Sequence, residues 1–414
     1  LGWKRNCIKK IGEPAPPYSS LSAPTQFRFL FPFPHEINPT HINTTGQLPS
    51  HLFLFFFFFQ ITNYLLLLLS YIDLNPLTTP PSMPIPVSMK AIVFYAPYDV
   101  RTEERPTPKI KDPKDVIVKV RYSGLCGTDL HSYRGHIKGP VGTIIGHEFV
   151  GTVVATGDNI TKFSIGDDVI SNFSIECGEC WYCKHGYSGQ CNVTNTFGKV
   201  GLDGGQAEYV RVPYAETTLT KKPSTTNSND DVDDSVYVLM ADIFTTGYYG
   251  VKKIKDFLSI SAAEGIKPQS FEETTILQLG AGPVGLCALR ILKYFGFGKV
   301  VVVDNVPSRL EEVKRLGATE VINFETEPDG IKKYITEETD GVGFDAVLEV
   351  VGSAAAHKTS FDAVRRNGFI SSIGMGHEPF PFNGLDVYLK NINMSFGRCH
   401  SWSLFPDLWL FLKR

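Results

Sequence analysis

The chain has 414 residues, 43% of them hydrophobic and 20% charged, with a formal net charge of −3 at pH 7. That length accommodates two or three domains with buried cores. The near-neutral balance excludes a dedicated basic nucleic-acid binder, and the share of charged residues with 37 glycines excludes a mostly disordered chain.

Composition changes abruptly near Met89. Residues 1–88 hold 13 of the 27 prolines and 10 of the 29 phenylalanines but only 3 of the 37 glycines. Leu52 to Ile72 (LFLFFFFFQITNYLLLLLSYI) is long enough to cross a bilayer, so a membrane anchor is one reading of it. The basic residues Lys4, Arg5, Lys9 and Lys10 lie too far upstream for a signal peptide. The run of Phe, Leu, Pro and Ser, with no Met before Met83, favours the other reading. In it, 1–88 is a non-native, disordered leader, the protein starts at Met89, and no membrane partner is expected. Residues 89–414 carry a net charge of −5.

From Met89 the text is an ordinary globular mixture. KAIVFYA, VIVKVRYSG (116–124) and EFVGTVVATG (148–157) are short, β-branched and bounded by glycine, which predicts an all-β unit of many short strands. Cys126 in GLCGTDLH and His147 in GHE lie between these strands. Next come Cys177, Cys180, Cys183 and Cys191, spaced C-x2-C-x2-C-x7-C. Four thiolates so spaced can close a tetrahedron around one Zn2+ with no open position, the signature of a structural zinc. A disulfide pair or an iron–sulfur cluster are the alternatives. Cys7, Cys287 and Cys399 have no partners of this kind and read as structural.

Lys221–Ser235 is polar and reads as a surface loop, followed by a helix from about Ser235 to Leu258 that contains Asp242. Cys126, His147 and Asp242 supply a thiolate, an imidazole and a carboxylate. Three mixed ligands with a fourth position open describe a catalytic zinc. Glu148 reads as a group supporting the ligands or as an alternate ligand.

Beyond residue 270 the texture changes to near-continuous apolar runs, TTILQLG, KVVVVDN, AVLEVVG and GFISSIG, separated by helical patterns such as SRLEEVKRLG. That is the mark of βαβ units and a parallel sheet covered on both faces. The glycine-rich turn Gly280-Ala281-Gly282-Pro283-Val284-Gly285 follows a strand and opens a helix. Such a turn cradles a dinucleotide pyrophosphate, with amide donors at the helix start. Asp304 ends the next strand, 19 residues after Gly285. An acid there bonds the ribose hydroxyls and repels a 2′-phosphate, favouring NAD over NADP. Arg309 reads either as a flank to the adenine or as a solvated helix residue.

Taken together, GLCGTDLH, GHEFVGTVVATG, GDDV, CGECWYCKHGYSGQC, GLDGGQAEYV and LQLGAGPVGL occur in one order that resembles the zinc-dependent medium-chain alcohol dehydrogenases, with aspartate as the third ligand as in the formaldehyde dehydrogenase and fungal zinc-type branch. The resemblance spans Met89 to Arg414. It implies an α/β chain with a GroES-like, zinc-binding catalytic domain (89–240) and a Rossmann NAD-binding domain (241–414). Two Zn2+ per chain, one catalytic and one structural, NAD as cofactor, a cytoplasmic location and a homo-oligomer are implied with it. Thr128 and His131 match the hydroxyl and imidazole of the family's proton relay, which receives the proton an alcohol gives up as its hydride passes to NAD+. The substrate is then an alcohol or an aldehyde hydrate. A polyol or threonine-type dehydrogenase is the alternative within the family, and a truncated, non-catalytic NAD- and zinc-binding remnant the alternative outside it. Family members continue past the position of Arg414, so a C-terminal return to the catalytic domain is expected to be missing.

Overall fold

The computed structural model describes residues 9–10, 84–223, 232–263 and 270–411. The apolar run Leu52–Ile72 lies outside the described residues, as do most of the leader and Cys7. Among the described residues, no helix is long and apolar enough to cross a membrane.

The first half of the described chain is built of short antiparallel strands. Strand β1 (Lys9–Lys10) lies against β4 (Val116–Ser123). β2 (Ser88–Ala96) and β3 (Asp99–Pro106) form a hairpin. β4 then pairs with β5 (Phe149–Thr156) and β7 (Tyr209–Val212), and the sheet continues through β6 (Asp168–Ser171) to β8 (Leu219–Lys221). In β4, Val116, Val118 and Val120 enter a core with Phe149, Val153 and Phe197, and Ile117 enters a second one on the other face. Between β4 and β5 runs the short helix α1 (Gly127–Tyr133).

The predicted single helix after the polar loop is two. Helix α2 (Asp234–Met240) stops, and α3 (Ile243–Ala263) starts two residues later. Asp242 lies in this break and its carbonyl accepts the amide of Thr246 at 2.7 Å. The polar loop is also shorter than read, since Asp234 and Ser235 already belong to α2; its residues 224–231 lie outside the described residues.

The second half is doubly wound. β9 (Thr275–Leu279), β10 (Lys299–Asp304), β11 (Glu320–Asn323), β12 (Phe344–Glu349), β13 (Val364–Ser372) and β14 (Asn393–Phe396) form one parallel sheet in the order β11-β10-β9-β12-β13-β14. β9 and β12 are buried along their whole length, which explains their largely apolar text. The sequence reading finds these central strands but not β11 or β14, which sit at the sheet edges and carry mixed residues. Helix α4 (Pro283–Tyr294) packs closely on α3, where the Cβ position of Gly247 lies 3.0 Å from the amide of Ala288. The order of strands reverses between β9 and β12, the switch point at whose carboxyl ends ligands of such sheets bind.

Candidate functional site

Three separate segments bring Cys126, His147 and Asp242 together. Cys126 caps the N-terminus of α1, His147 lies just before β5, and Asp242 occupies the break between α2 and α3. One donor atom from each lies within 4.8 Å of the other two. His147 Nε2 is 3.4 Å from Asp242 Oδ2, and Cys126 Sγ is 3.7 Å from the same oxygen.

The site is buried, and its electrostatics suit a cation. Burial and the Asp242 carboxylate push the Cys126 thiol up to about 11. Burial opposes charge on His147, yet Asp129 and Asp242 hold it well above the ordinary imidazole value. Burial likewise opposes charge on Asp242, but His147, Thr246 and Cys126 keep its carboxyl below the usual range. The field that draws a proton onto a buried imidazole also draws a divalent cation, and a soft thiolate with imidazole and carboxylate is a zinc donor set. The residues therefore fit the metal.

Two supporting side chains were not legible in the sequence. Asp129 Oδ1 lies 3.4 Å from His147 Nδ1, while its Oδ2 accepts the Cys126 amide at 3.1 Å. A carboxylate behind a ligating histidine fixes the ring and raises its basicity. Thr246 Oγ1 donates to Asp242 Oδ1 at 2.6 Å and orients that carboxylate. The only sequence signal for Asp129 is its place three residues after Cys126, where it completes a capping box.

The other expected residues are distributed as follows. Thr128 Oγ1 is 3.8 Å from Cys126 Sγ. His131 lies one turn further along α1 and is half-buried. Glu148 is buried beside the site but outside the three-residue set. Its carboxylate lies over Gly124, where a Cβ would meet Glu148 Oε2 at 1.9 Å. A cavity of about 220 Å3 lies behind α1, with Asp129, Phe94 and Tyr133 in its wall but none of the three donors.

Cys177, Cys180, Cys183 and Cys191 form the second cluster, again with sulfurs within 4.8 Å of one another. Cys180 Sγ and Cys191 Sγ are 3.9 Å apart, far beyond a disulfide. It is close to the ~3.8 Å that two sulfurs 2.3 Å from a tetrahedral zinc must have. Backbone amides point at the sulfurs: Cys180 N donates to Cys177 Sγ at 3.3 Å and Cys177 N to Cys191 Sγ at 3.2 Å. Amide donation from Asn192 and Cys183 lowers the Cys180 thiol to about 6.

At the carboxyl edge of the parallel sheet, Gly280 has φ +101°, a conformation that favours glycine. A Cβ on Gly285 would lie 2.3 Å from the Gly280 carbonyl oxygen, so turn and helix touch there. Gln278, fully buried inside apolar β9, explains how the turn is held: its Nε2 donates to the carbonyls of Gly280 and Gly285, both at 3.0 Å. Pro283 is the first residue of α4 and Val284 the second. Asp304 Oδ2 accepts the Ala281 amide at 2.8 Å, and its Oδ1 accepts those of Asn305 and Val306. It thus braces the turn. Arg309 Nη1 is 3.6 Å from Asp304 Oδ2, so this arginine belongs with the acid rather than to open solvent.

Comparison with known proteins agrees with both halves of the chain. Residues 112–224 match the alcohol dehydrogenase GroES-like domain and residues 283–414 match the zinc-binding dehydrogenase domain. Zinc-type alcohol dehydrogenase B of Aspergillus flavus is 44% identical over 326 residues, covering 79% of this chain and 73% of that protein. The chain belongs to the zinc-dependent medium-chain alcohol dehydrogenase family. Formaldehyde dismutase of Pseudomonas putida is 33% identical over 340 residues, covering 75% of this chain and 80% of its own. Among solved structures, the alcohol dehydrogenase of Thermus sp. ATN1 superposes with a TM-score of 0.69 at 32% identity, over 78% of this chain and 88% of that one. The α/β architecture read from the sequence, a GroES-like domain with a Rossmann-type sheet, is that of the family. As a member, this chain is a zinc-type, NAD(P)-linked oxidoreductase that transfers hydride.

Proposed function

We propose that Cys126, His147 and Asp242 hold the catalytic Zn2+ and that Cys177, Cys180, Cys183 and Cys191 hold a second, structural one. The observation that carries this reading is the convergence of a thiol, an imidazole and a carboxylate from three segments to within 4.8 Å, with His147 buried and the other two half-buried. Zn2+ at that position supplies Lewis acidity, which lowers the pKa of a substrate hydroxyl.

The chain's own residues do the rest. Asp129 orients His147, and Thr246 orients Asp242. Thr128 offers a hydroxyl beside Cys126 to take up the proton the substrate gives up. His131 passes that proton to solvent. Burial, together with the neighbouring His136, His377, Arg134 and Lys199, lowers the pKa of His131, so its ring releases a proton readily at neutral pH. Gly280, Gly282, Pro283, Val284 and Gly285 hold the dinucleotide pyrophosphate at the start of α4. Asp304 selects NAD over NADP, with Arg309 beside it. Glu148 serves as a buried carboxylate next to the ligands. Residues 89–240 form the catalytic domain and 241–414 the nucleotide domain.

The substrate on this reading is an alcohol or an aldehyde hydrate. A homo-oligomer is supported by apolar surface on the helix Gly384–Lys390, where Leu385, Tyr388 and Leu389 are exposed next to edge strand β14. Four sulfurs spaced as for a metal rather than a disulfide support a reducing compartment such as the cytoplasm.

Metal analysis with a panel of alcohols and aldehydes, each offered NAD+ and NADP+, tests the proposal. Two zincs per chain and turnover with NAD+ are expected. One zinc or fewer in the active protein, or turnover that survives Cys126→Ala, overturns it.

A further inference from the structure

Three histidines lie near one another at the far end of α1. His131 is in the last turn of that helix, and His136 follows in the turn beyond it. Gly135, with φ +74°, reverses the chain there, and the amide of His136 donates to the carbonyl of His131 at 2.9 Å. This Gly-terminated turn folds His136 back onto the helix end. His377 arrives from the nucleotide half, in the loop after β13.

The spacing is that of shared coordination. The Nδ1 atoms of His131 and His136 are 3.3 Å apart, with ring centres 5.6 Å apart. Two nitrogens held 2.0–2.1 Å from a tetrahedral zinc must stand ~3.3 Å from each other. The ring of His377 lies 6.4 Å from that of His131, nearly perpendicular to it. His136 and His377 are both exposed, so an ion reaches the group from solvent. The lowered pKa of His131 keeps its ring in the neutral form that binds metals. The adjacent cations Arg134 and Lys199 oppose a further positive charge. Such a site exchanges with free metal rather than retaining it.

We propose that His131, His136 and His377 form an accessory site for a divalent transition-metal ion, with Zn2+ as the probe, separate from the two cysteine-containing sets. An ion there occupies the lone pair by which His131 would carry a proton, so excess zinc inhibits turnover. That consequence rests on the relay role proposed above, whereas the binding itself does not.

The test uses the full chain loaded with its own zinc and dialysed free of excess. Zn2+ is titrated calorimetrically, and NAD+-linked turnover is followed in parallel. One additional equivalent is expected to bind, with turnover falling in step. His136→Asn should weaken that binding by more than about ten-fold, since loss of a group that only hydrogen-bonds a ligand already costs 10–100-fold. His377→Asn should weaken binding less. Absence of an additional equivalent, or an equivalent that His136→Asn binds as tightly, overturns the site. Binding as described with no loss of turnover leaves the site standing and overturns the relay role of His131.

Discussion

Gly285→Ala is the most informative single perturbation of the nucleotide half. The added methyl would sit 2.3 Å from the Gly280 carbonyl oxygen and 3.0 Å from Gln278 Nε2. The first of these is backbone, so the helix start must retreat from the turn by about 1 Å to reach ordinary contact. The amides at the start of α4 would then be displaced relative to the pyrophosphate, and misplacement by ~1 Å in a positioned site can cost 10²-fold. The expected outcome is a 10–100-fold weaker NAD affinity, or about 1.4–2.8 kcal/mol. A destabilisation of about 1–3 kcal/mol from overpacking accompanies it. Fluorescence titration with NADH measures the first effect, denaturant unfolding the second, and metal analysis serves as the control. Zinc content should be unchanged, because neither cysteine cluster touches the turn. Unchanged NADH affinity in a folded, zinc-loaded variant would refute the argument that close contact at Gly285 positions the coenzyme.

Three other outcomes are expected. Cys126→Ala should remove one zinc and reduce turnover by at least about 100-fold while NADH still binds, as read by metal analysis, initial rates and fluorescence. Cys183→Ser, or removal of the second zinc by a chelator, should lower the melting temperature without changing NADH affinity, because that cluster braces a loop remote from the glycine-rich turn. Asp234→Asn should cost about 1.5–3 kcal/mol at neutral pH, since it weakens bonds to Arg121 at 2.6 Å and Lys222 at 2.9 Å that join α2 to the β sheet. Burial opposes charge on Asp234, but these two partners hold its carboxyl below the ordinary value. Its contribution is therefore complete above the unfolded carboxylate pKa of about 3.9 and disappears as pH falls through the lower folded value. In acid, the unfolding curves of variant and wild type should converge; a constant gap would count against this ion network.

Much of the molecule is legible from local pattern alone. The four cysteines between 177 and 191 are near neighbours in sequence, and short loops hold them together, so spacing is enough to predict a closed metal site. The glycine-rich turn is equally local, since strand, turn and helix are contiguous. Central strands β9 and β12 are visible because burial on both faces demands mostly apolar text. The edge strands β11 and β14, with one side free, do not carry that demand.

The three-residue set is a different matter. Cys126, His147 and Asp242 are up to 116 residues apart, and chain order says nothing about their distance; donor type and a family resemblance grouped them. What brings Asp242 in is a break in the helix that periodicity reads as continuous. Asp129 and Gln278 are similar cases, one ordinary in a polar loop and the other anomalous in an apolar strand. Their partners, the ring of His147 and the carbonyls of Gly280 and Gly285, become apparent only once the chain is folded. The sequence by itself determined the two architectures, the four-cysteine cluster and the glycine-rich turn, because backbone preference and burial act over a few residues. The tertiary structure alone decided which distant side chains meet, because a hydrogen bond or a coordination sphere depends on angstroms in space and not on separation along the chain.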